Sequence, residues 1–247
     1  MIPHDNMAKL SRALPFWVSL ALVPLAWIGA VYGGWTVILL PISTWYLFSI
    51  IDGIAGLYEE NADLETTEDE LFWYKLVTLI WFPIQFVTVF GVLWYVTQSG
   101  HLTTLEQIVL FFGIGVISGA VGIVYAHGYV GTPRDPVTAR YNEGFHRFFF
   151  RVIREQPVSA FRAEKAMLAR KNLPWHDRSN PFWKYWALQI AFIAFAVIIG
   201  GWAGLGLFLV QAFVAIWQLE LTNYVEHYGL TRKHLGNGKY EHVMPRH

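Results

Sequence analysis

The densest group of side chains able to do chemistry is Asn223-Tyr224-Val225-Glu226-His227-Tyr228-Gly229-Leu230, which closes an apolar run that begins near Trp202. If that run is helical, Glu220, Asn223 and His227 fall at i, i+3 and i+7 and share one face. A carboxylate, an amide and an imidazole at the mouth of a membrane helix are costly to bury unless each finds a partner. Two roles stay open for such a face. It can be an interfacial anchor, with Tyr224, His227 and Tyr228 at headgroup level, or a ligand or catalytic site. The chain has no cysteine, so thiolate nucleophiles, disulfides and iron–sulfur clusters are excluded, and histidine and carboxylate remain as the strong metal ligands.

The elements that must position these residues are membrane helices. Of the 247 residues 55% are hydrophobic and 15% charged, whereas a soluble domain carries about 25% charged residues. The formal net charge is zero, which gives no basis for binding nucleic acid. A bilayer span takes roughly 20 mainly apolar residues, and six stretches qualify: 14–32, 35–51, 72–96, 108–126, 183–200 and 202–223. The expected fold is an all-α integral membrane protein: six transmembrane helices in one transmembrane domain over 1–247, with a cytoplasmic helical loop at 128–182. The first and last helix pairs are joined only by Gly33-Gly34 and Gly200-Gly201, which predicts tight hairpins. The apolar run after the N-terminal segment lacks a small-residue cleavage site and reads as an anchor. All 18 Lys and Arg residues lie on one side of such an arrangement or at span ends facing it. The positive-inside rule then places the protein in the inner membrane with both termini cytoplasmic.

Two loops carry the remaining chemistry. The acidic connector that follows the second span starts at Asp52 and is either a solvated linker or, through Asp52, a carboxylate supporting a metal site from behind its ligands. The long loop opens with Gly131-Thr132-Pro133-Arg134-Asp135-Pro136, a turn-rich string. After it, Phe145, Phe148, Phe149, Val152 and Ile153 recur at helical spacing with Arg147, Arg151 and Arg154 between them, and the helical pattern extends to about Arg170. Such a helix is expected to lie on the inner membrane surface, phenylalanines toward the bilayer. Its arginines would meet lipid phosphates or an acidic protein partner.

Asn223 to Leu230, with Thr231-Arg232-Lys233, Gly238-Lys239-Tyr240-Glu241 and Met244-Pro245-Arg246-His247 after it, resembles the signature of the membrane-bound alkane 1-monooxygenases. These are relatives of the histidine-rich membrane desaturases and xylene monooxygenases. Gly131 to Arg140 resembles the same family. The resemblance implies hydroxylation of the terminal carbon of an alkane or fatty chain, using dioxygen and two irons. It also implies electrons from rubredoxin, supplied by NADH through a reductase. Histidine suits iron, and open coordination positions are needed for oxygen. By this resemblance His127 and His227 are metal ligands, with Asp52 behind them; position and chemistry make Glu226 or Asn223 the expected support of His227. Arg134, Arg140, Arg147, Arg151 and Arg154 become candidates for docking the electron donor.

The family also uses a His-Glu-x-x-His pair, a His-x-x-x-His-His cluster and a late His-x-x-His-His cluster. Here Val121-Gly122-Ile123-Val124-Tyr125-Ala126-His127 resembles the approach to the first pair but passes directly to Gly128, and the second cluster is absent. The late cluster does not appear before His247. His146, His176, His234 and His242 are expected to be solvated or interfacial. Alternative readings are a desaturase- or xylene-type oxygenase, or a non-catalytic membrane scaffold that has lost most of its metal-ligand motifs.

Overall fold

The computed structural model describes residues 17–47, 50, 72–121, 137–229, 234–236 and 239–240. Asp52, the acidic connector, His127 and Gly131 to Pro136 lie outside the described residues, as do His4 and His242. The fold is mostly helical, in two compact units: Met1–Val121 with Phe195–Ala215, and Gly122–Ala194 with Ile216–His247.

In the first unit, a short 3₁₀ turn (Val18–Ala21) runs into helix α1 (Leu22–Tyr32). The chain then reverses at Gly33 and Gly34, whose φ values of 62° and 59° suit glycine. The return leg is irregular. It passes from 3₁₀ (Gly34–Ile38) through the single α turn α2 (Leu39–Ile42) to a π turn (Ser43–Leu47). Helix α3 (Phe72–Ser99) carries Pro83 inside it, and α4 (Thr104–Val121) follows after Gly100.

Helix α4 starts four residues before the expected span because Thr103-x-x-Glu106 forms a capping box. The Thr103 N–H donates to Glu106 Oε2 at 2.7 Å, and the Glu106 N–H donates back to Thr103 Oγ1 at 3.3 Å. The other carboxylate oxygen accepts the Gly34 N–H at 2.6 Å and so pins the first hairpin. These hydrogen bonds, led by the one from Thr103, hold the Glu106 carboxyl below its ordinary value of 4.5. Leu93, Leu110, Phe111, Ile114 and Ile117 fill the core of this unit, all fully buried.

Helix α6 (Phe182–His227) is interrupted at Gly201, where φ 59° and ψ −150° break the helix. A Cβ placed at Gly204 would come within 2.6 Å of the Ala196 carbonyl, eight residues earlier. In an unbroken helix those residues would be about 12 Å apart along the axis. The two legs, 182–200 and 202–227, therefore fold back on each other, as Gly200-Gly201 predicts. Two helical stretches, Leu79–Ser99 and Phe182–His227, are long and apolar enough to cross a membrane, while Ser19–Tyr32 and Thr104–Ala120 are shorter apolar helices.

The second unit is built on helix α5 (Phe145–Arg170). Its C-terminus is closed by Asn172, at φ 56°, with the Leu173 N–H donating to Leu168 O at 2.9 Å and the Asn172 N–H to Ala169 O at 3.0 Å. This is a Schellman closure, which satisfies the last carbonyls and fixes the end at Arg170. Phe161, Trp175, Phe182 and Trp183 then form an edge-to-face and stacked aromatic group that joins the end of α5 to the start of α6. A small hairpin, β1 (His234–Gly236) with β2 (Lys239–Tyr240), completes the described residues.

Candidate functional site at the end of α6

The last two turns of α6 present the predicted face. Glu220, Asn223 and His227 are 1%, 8% and 5% exposed, whereas Val225, Glu226 and Tyr228 on the other side are exposed. A helix of 3.6 residues per turn separates neighbours by 100°, so Glu226 cannot share the face of His227. Glu226 is thus not the carboxylate behind His227. Glu220 is the buried carboxylate, and the Asn223 Nδ2 donates to its Oε2 at 3.2 Å. Gln218 and Gln211, further up the same leg, are also buried.

Tyr224 fixes how this helix end is held within the second unit. Its hydroxyl donates to the Glu143 carbonyl at 2.8 Å, and its ring meets Phe145 and Phe148 at 5.5 and 5.3 Å. Val137, Ala139, Phe148 and Val152 form the apolar cluster against which Phe145 and Tyr224 pack. The turn at 137–144 is tied to the helix end twice more: the Asn142 N–H donates to Tyr228 Oη at 3.3 Å and the Gly229 N–H to Ala139 O at 3.4 Å.

That turn is in turn closed by a buried ion pair. Arg151 Nε and Nη2 donate to Glu143 Oε1 and Oε2 at 2.9 and 2.8 Å, a two-point fork. Nη2 also donates to the Thr138 carbonyl at 3.1 Å, and the Arg140 N–H donates to Glu143 Oε2 at 2.9 Å. The hydrogen bonds from Arg151 hold the Glu143 carboxyl down at about 2 against the opposing pull of burial. They also raise the Arg151 guanidinium.

This geometry corrects two expectations for the surface helix. Arg151 is buried and engaged by Glu143, so it is not available for docking; Arg147, Arg154 and Arg140 are exposed. Phe148, Phe149 and Val152 are buried within the protein and do not face a bilayer. Phe150 and Ile153 are the exposed apolar residues of that stretch. The tyrosine at 224 supplies an apolar partner that outcompetes lipid for the phenylalanine face. His146 and His176 are exposed, as expected for interfacial or loop histidines, and His101 is exposed too.

Among the described residues the donors fall short of a two-iron centre. Among the described residues no three of His, Asp and Glu come together to hold a metal ion. On the α6 face the metal-ligating groups are Glu220 and His227, and the Asn223 amide lying between them in sequence is bonded to the carboxylate. Two such ligands satisfy half of one tetrahedral site.

Comparisons with known proteins converge on one family. A fatty acid desaturase profile matches residues 125–247. Alkane 1-monooxygenase 2 of Pseudomonas aeruginosa is 27% identical over 281 residues, covering 98% of this chain and 72% of the relative. Alkane 1-monooxygenase 1 of the same organism is 29% identical, covering 80% of this chain and 62% of the relative. Alkane 1-monooxygenase 2 of Alcanivorax borkumensis is 34% identical over 121 residues, 49% of this chain and 32% of that relative. The alignment of 281 positions is longer than the whole 247-residue chain, so a substantial number of positions are filled by the relative alone.

Proposed function

We infer that this chain, which belongs to the membrane alkane 1-monooxygenase family, is an oxidoreductase that hydroxylates a hydrophobic substrate within the membrane. In the full reading, the terminal C–H of an alkane or fatty chain gives the primary alcohol. One oxygen atom of dioxygen enters the product and the other leaves as water, with two electrons and two protons consumed. Rubredoxin is the proposed electron donor, meeting the exposed Arg147 and Arg154, with Arg140 and Arg134 beside them in sequence; an acidic carrier would be steered to such a patch. Iron is the proposed metal, with His127 and His227 as ligand positions and Asn223 and Asp52 supporting them. The metal would supply oxygen activation. The chain's own part is to hold an imidazole and a carboxylate fixed at the end of an apolar helix.

The observation that carries this reading is the buried Glu220–Asn223–His227 face, since such groups are rare in apolar helices unless they serve a site. Six spans with cytoplasmic termini remain part of it, supported by the distribution of basic residues. Reporter fusions at Gly100 and Gln156 should read out on opposite sides, and a shared side overturns that arrangement.

The function is tested by expressing the chain in a host with rubredoxin and its reductase, supplying dodecane and ¹⁸O₂, and measuring labelled 1-dodecanol together with iron per chain. Labelled alcohol with bound iron supports the enzyme. His227→Ala should abolish both, Asn223→Ala should lower both by about 10–100-fold, and His234→Ala should change neither. An His227→Ala protein that keeps iron and still hydroxylates sinks the ligand role. The second reading, a non-catalytic membrane scaffold, is favoured by the direct passage from His127 to Gly128. It predicts neither iron nor product in the wild type.

A further inference from the structure

Where α5 gives way to α6, the second unit carries a charge pattern that the reading above does not use. From Arg162 to Lys184 the chain has six basic and two acidic residues. Arg162, Lys165, Arg170, Lys171, Arg178 and Lys184 are all exposed, and among the described residues none of them forms an ion pair. Arg170 and Lys171 are accounted for by the C-terminus of α5, whose dipole favours cations. Lys184 has no such reason. It stands in the first turn of α6, a turn without an acidic residue, and a cation there is set against the helix dipole. Arg178 lies just ahead of the same helix end and adds to the positive potential. The near carboxylate, Asp177, is turned to the loop: its Oδ1 accepts the Ser179 N–H and hydroxyl at 2.8 and 2.6 Å.

The loop that presents Arg178 and Lys184 is tightly bonded. Asn180 is buried, its Nδ2 donating to the Trp175 carbonyl at 2.7 Å and its Oδ1 accepting the Phe182 N–H at 3.0 Å. The Trp183 Nε1 donates to the Asp177 carbonyl at 3.2 Å. The backbone N–H groups of Trp183 and Lys184 go to the Asn180 and Pro181 carbonyls at 3.2 and 3.0 Å. The first three N–H groups of α6 are thus taken, and any anion at this end must be held by the side-chain cations.

The neighbours of these cations set the depth at which they act. Trp175, Trp183, Tyr185 and Trp186 are exposed, and rings with a polar edge and an open apolar face gather between acyl chains and headgroups. Leu188, Ile190 and Ile193 follow, also exposed, in a helix long and apolar enough to cross a membrane. Lys184 is four residues from Leu188, about 6 Å along the axis, a distance that a lysine stem spans while its ammonium stays in the polar layer. The anions at that depth are lipid phosphates. A soluble acidic protein would first have to displace the headgroups. We propose that Arg178 and Lys184, framed by Trp175 and Trp183, form a docking surface for anionic phospholipid headgroups. This surface is separate in sequence from the Arg147 and Arg154 pair assigned above to the electron donor, and it does not depend on the hydroxylase reading.

The test uses the full chain, purified in neutral detergent and titrated with phosphatidylglycerol or phosphatidylcholine of identical acyl chains. Bound lipid is counted by native mass spectrometry. A cation near an anionic lipid surface is worth about fivefold in binding, so two give a preference of about 25-fold for phosphatidylglycerol. That preference should shrink as salt rises. Arg178→Gln with Lys184→Gln should bring the two lipids close to parity, whereas Arg147→Gln with Arg154→Gln should leave the preference in place. All four side chains are exposed, so both variants are expected to fold. Should the Arg178–Lys184 variant fail to fold, the wild-type ratio and its salt dependence decide alone. Equal affinity of the wild type for both lipids overturns the proposal, as does a preference that survives the Arg178–Lys184 substitutions. A variant that keeps the lipid preference but no longer binds an acidic electron carrier overturns it in favour of a protein partner. No turnover is involved, so a chain that yields no labelled alcohol loses the hydroxylase reading while the lipid preference stands.

Discussion

Two of the polar assemblies among the described residues, one in each unit, are closed to different degrees. In the Glu143–Arg151 assembly both carboxylate oxygens accept: Oε1 from Arg151, and Oε2 from Arg151 and the Arg140 N–H. Arg151 also meets the Thr138 carbonyl, Glu155 at 3.6 Å and the Phe148 ring at 5.5 Å. In the Gln85–Ser118–Gln211 assembly both amides meet one hydroxyl, no group is charged, and one end of the Gln85 amide is left without a partner. A buried charge must be matched completely, because several kcal/mol of desolvation stand against it. A neutral amide costs less, so one of its ends can stay unmatched. The first assembly is a charged clasp and the second a neutral tie between helices.

Breaking the clasp should give the largest effect. Arg151→Met strands a buried carboxylate and should cost roughly 3–5 kcal/mol, read as a lowered unfolding midpoint in detergent. Adding Glu143→Gln to it should restore most of that loss, because the double variant buries no unpaired charge. A double variant as unstable as the single one would show that the fork contributes by shape and not by charge.

Acid separates the two assemblies next. The Glu143 carboxyl is held at about 2 against an ordinary 4.5, so its stabilisation is fully present above about 4.5 and is lost as pH falls through about 2. Amide exchange around Phe148 and Tyr224 should rise over that window. Exchange around Ser118 should not, since none of its partners titrates there. Matched acid responses in both places would break the comparison.

The smallest effect belongs to the neutral tie. Ser118→Ala leaves two amide donors without an acceptor, and hydrogen bonds between membrane helices average about 0.6 kcal/mol, reaching roughly 1.7. A midpoint drop as large as that of Arg151→Met would mean the serine is a structural keystone.

Residue spacing alone carried the α6 end a long way. Glu220, Asn223 and His227 share a buried face because a 3.6-residue period leaves no other option once the run is helical. The break at Gly201 and the reversal at Gly33-Gly34 were legible for the same local reason, as was the end of α5 near Arg170. The choice of carboxylate was not. Nearness in sequence left Glu226 or Asn223 as the support of His227; helical geometry sends Glu226 to the outside, and Glu220 takes the inside.

The two assemblies themselves could not be read from the chain. Arg151 and Glu143 are eight residues apart across a helix start, outside the i, i+4 pairs that periodicity exposes. An arginine among exposed arginines looks like surface until Tyr224 arrives from 81 residues away to cover the turn beside it. Gln85, Ser118 and Gln211 are separated by 33 and 93 residues; three polar residues inside apolar runs were the available signal, and they could not say who meets whom. Sequence by itself determined the elements, their breaks and the chemical face of α6, because those follow from local period and backbone freedom. Tertiary structure decided which polar atoms are satisfied and which is left open, because a hydrogen bond's worth depends on what remains around it once water has gone.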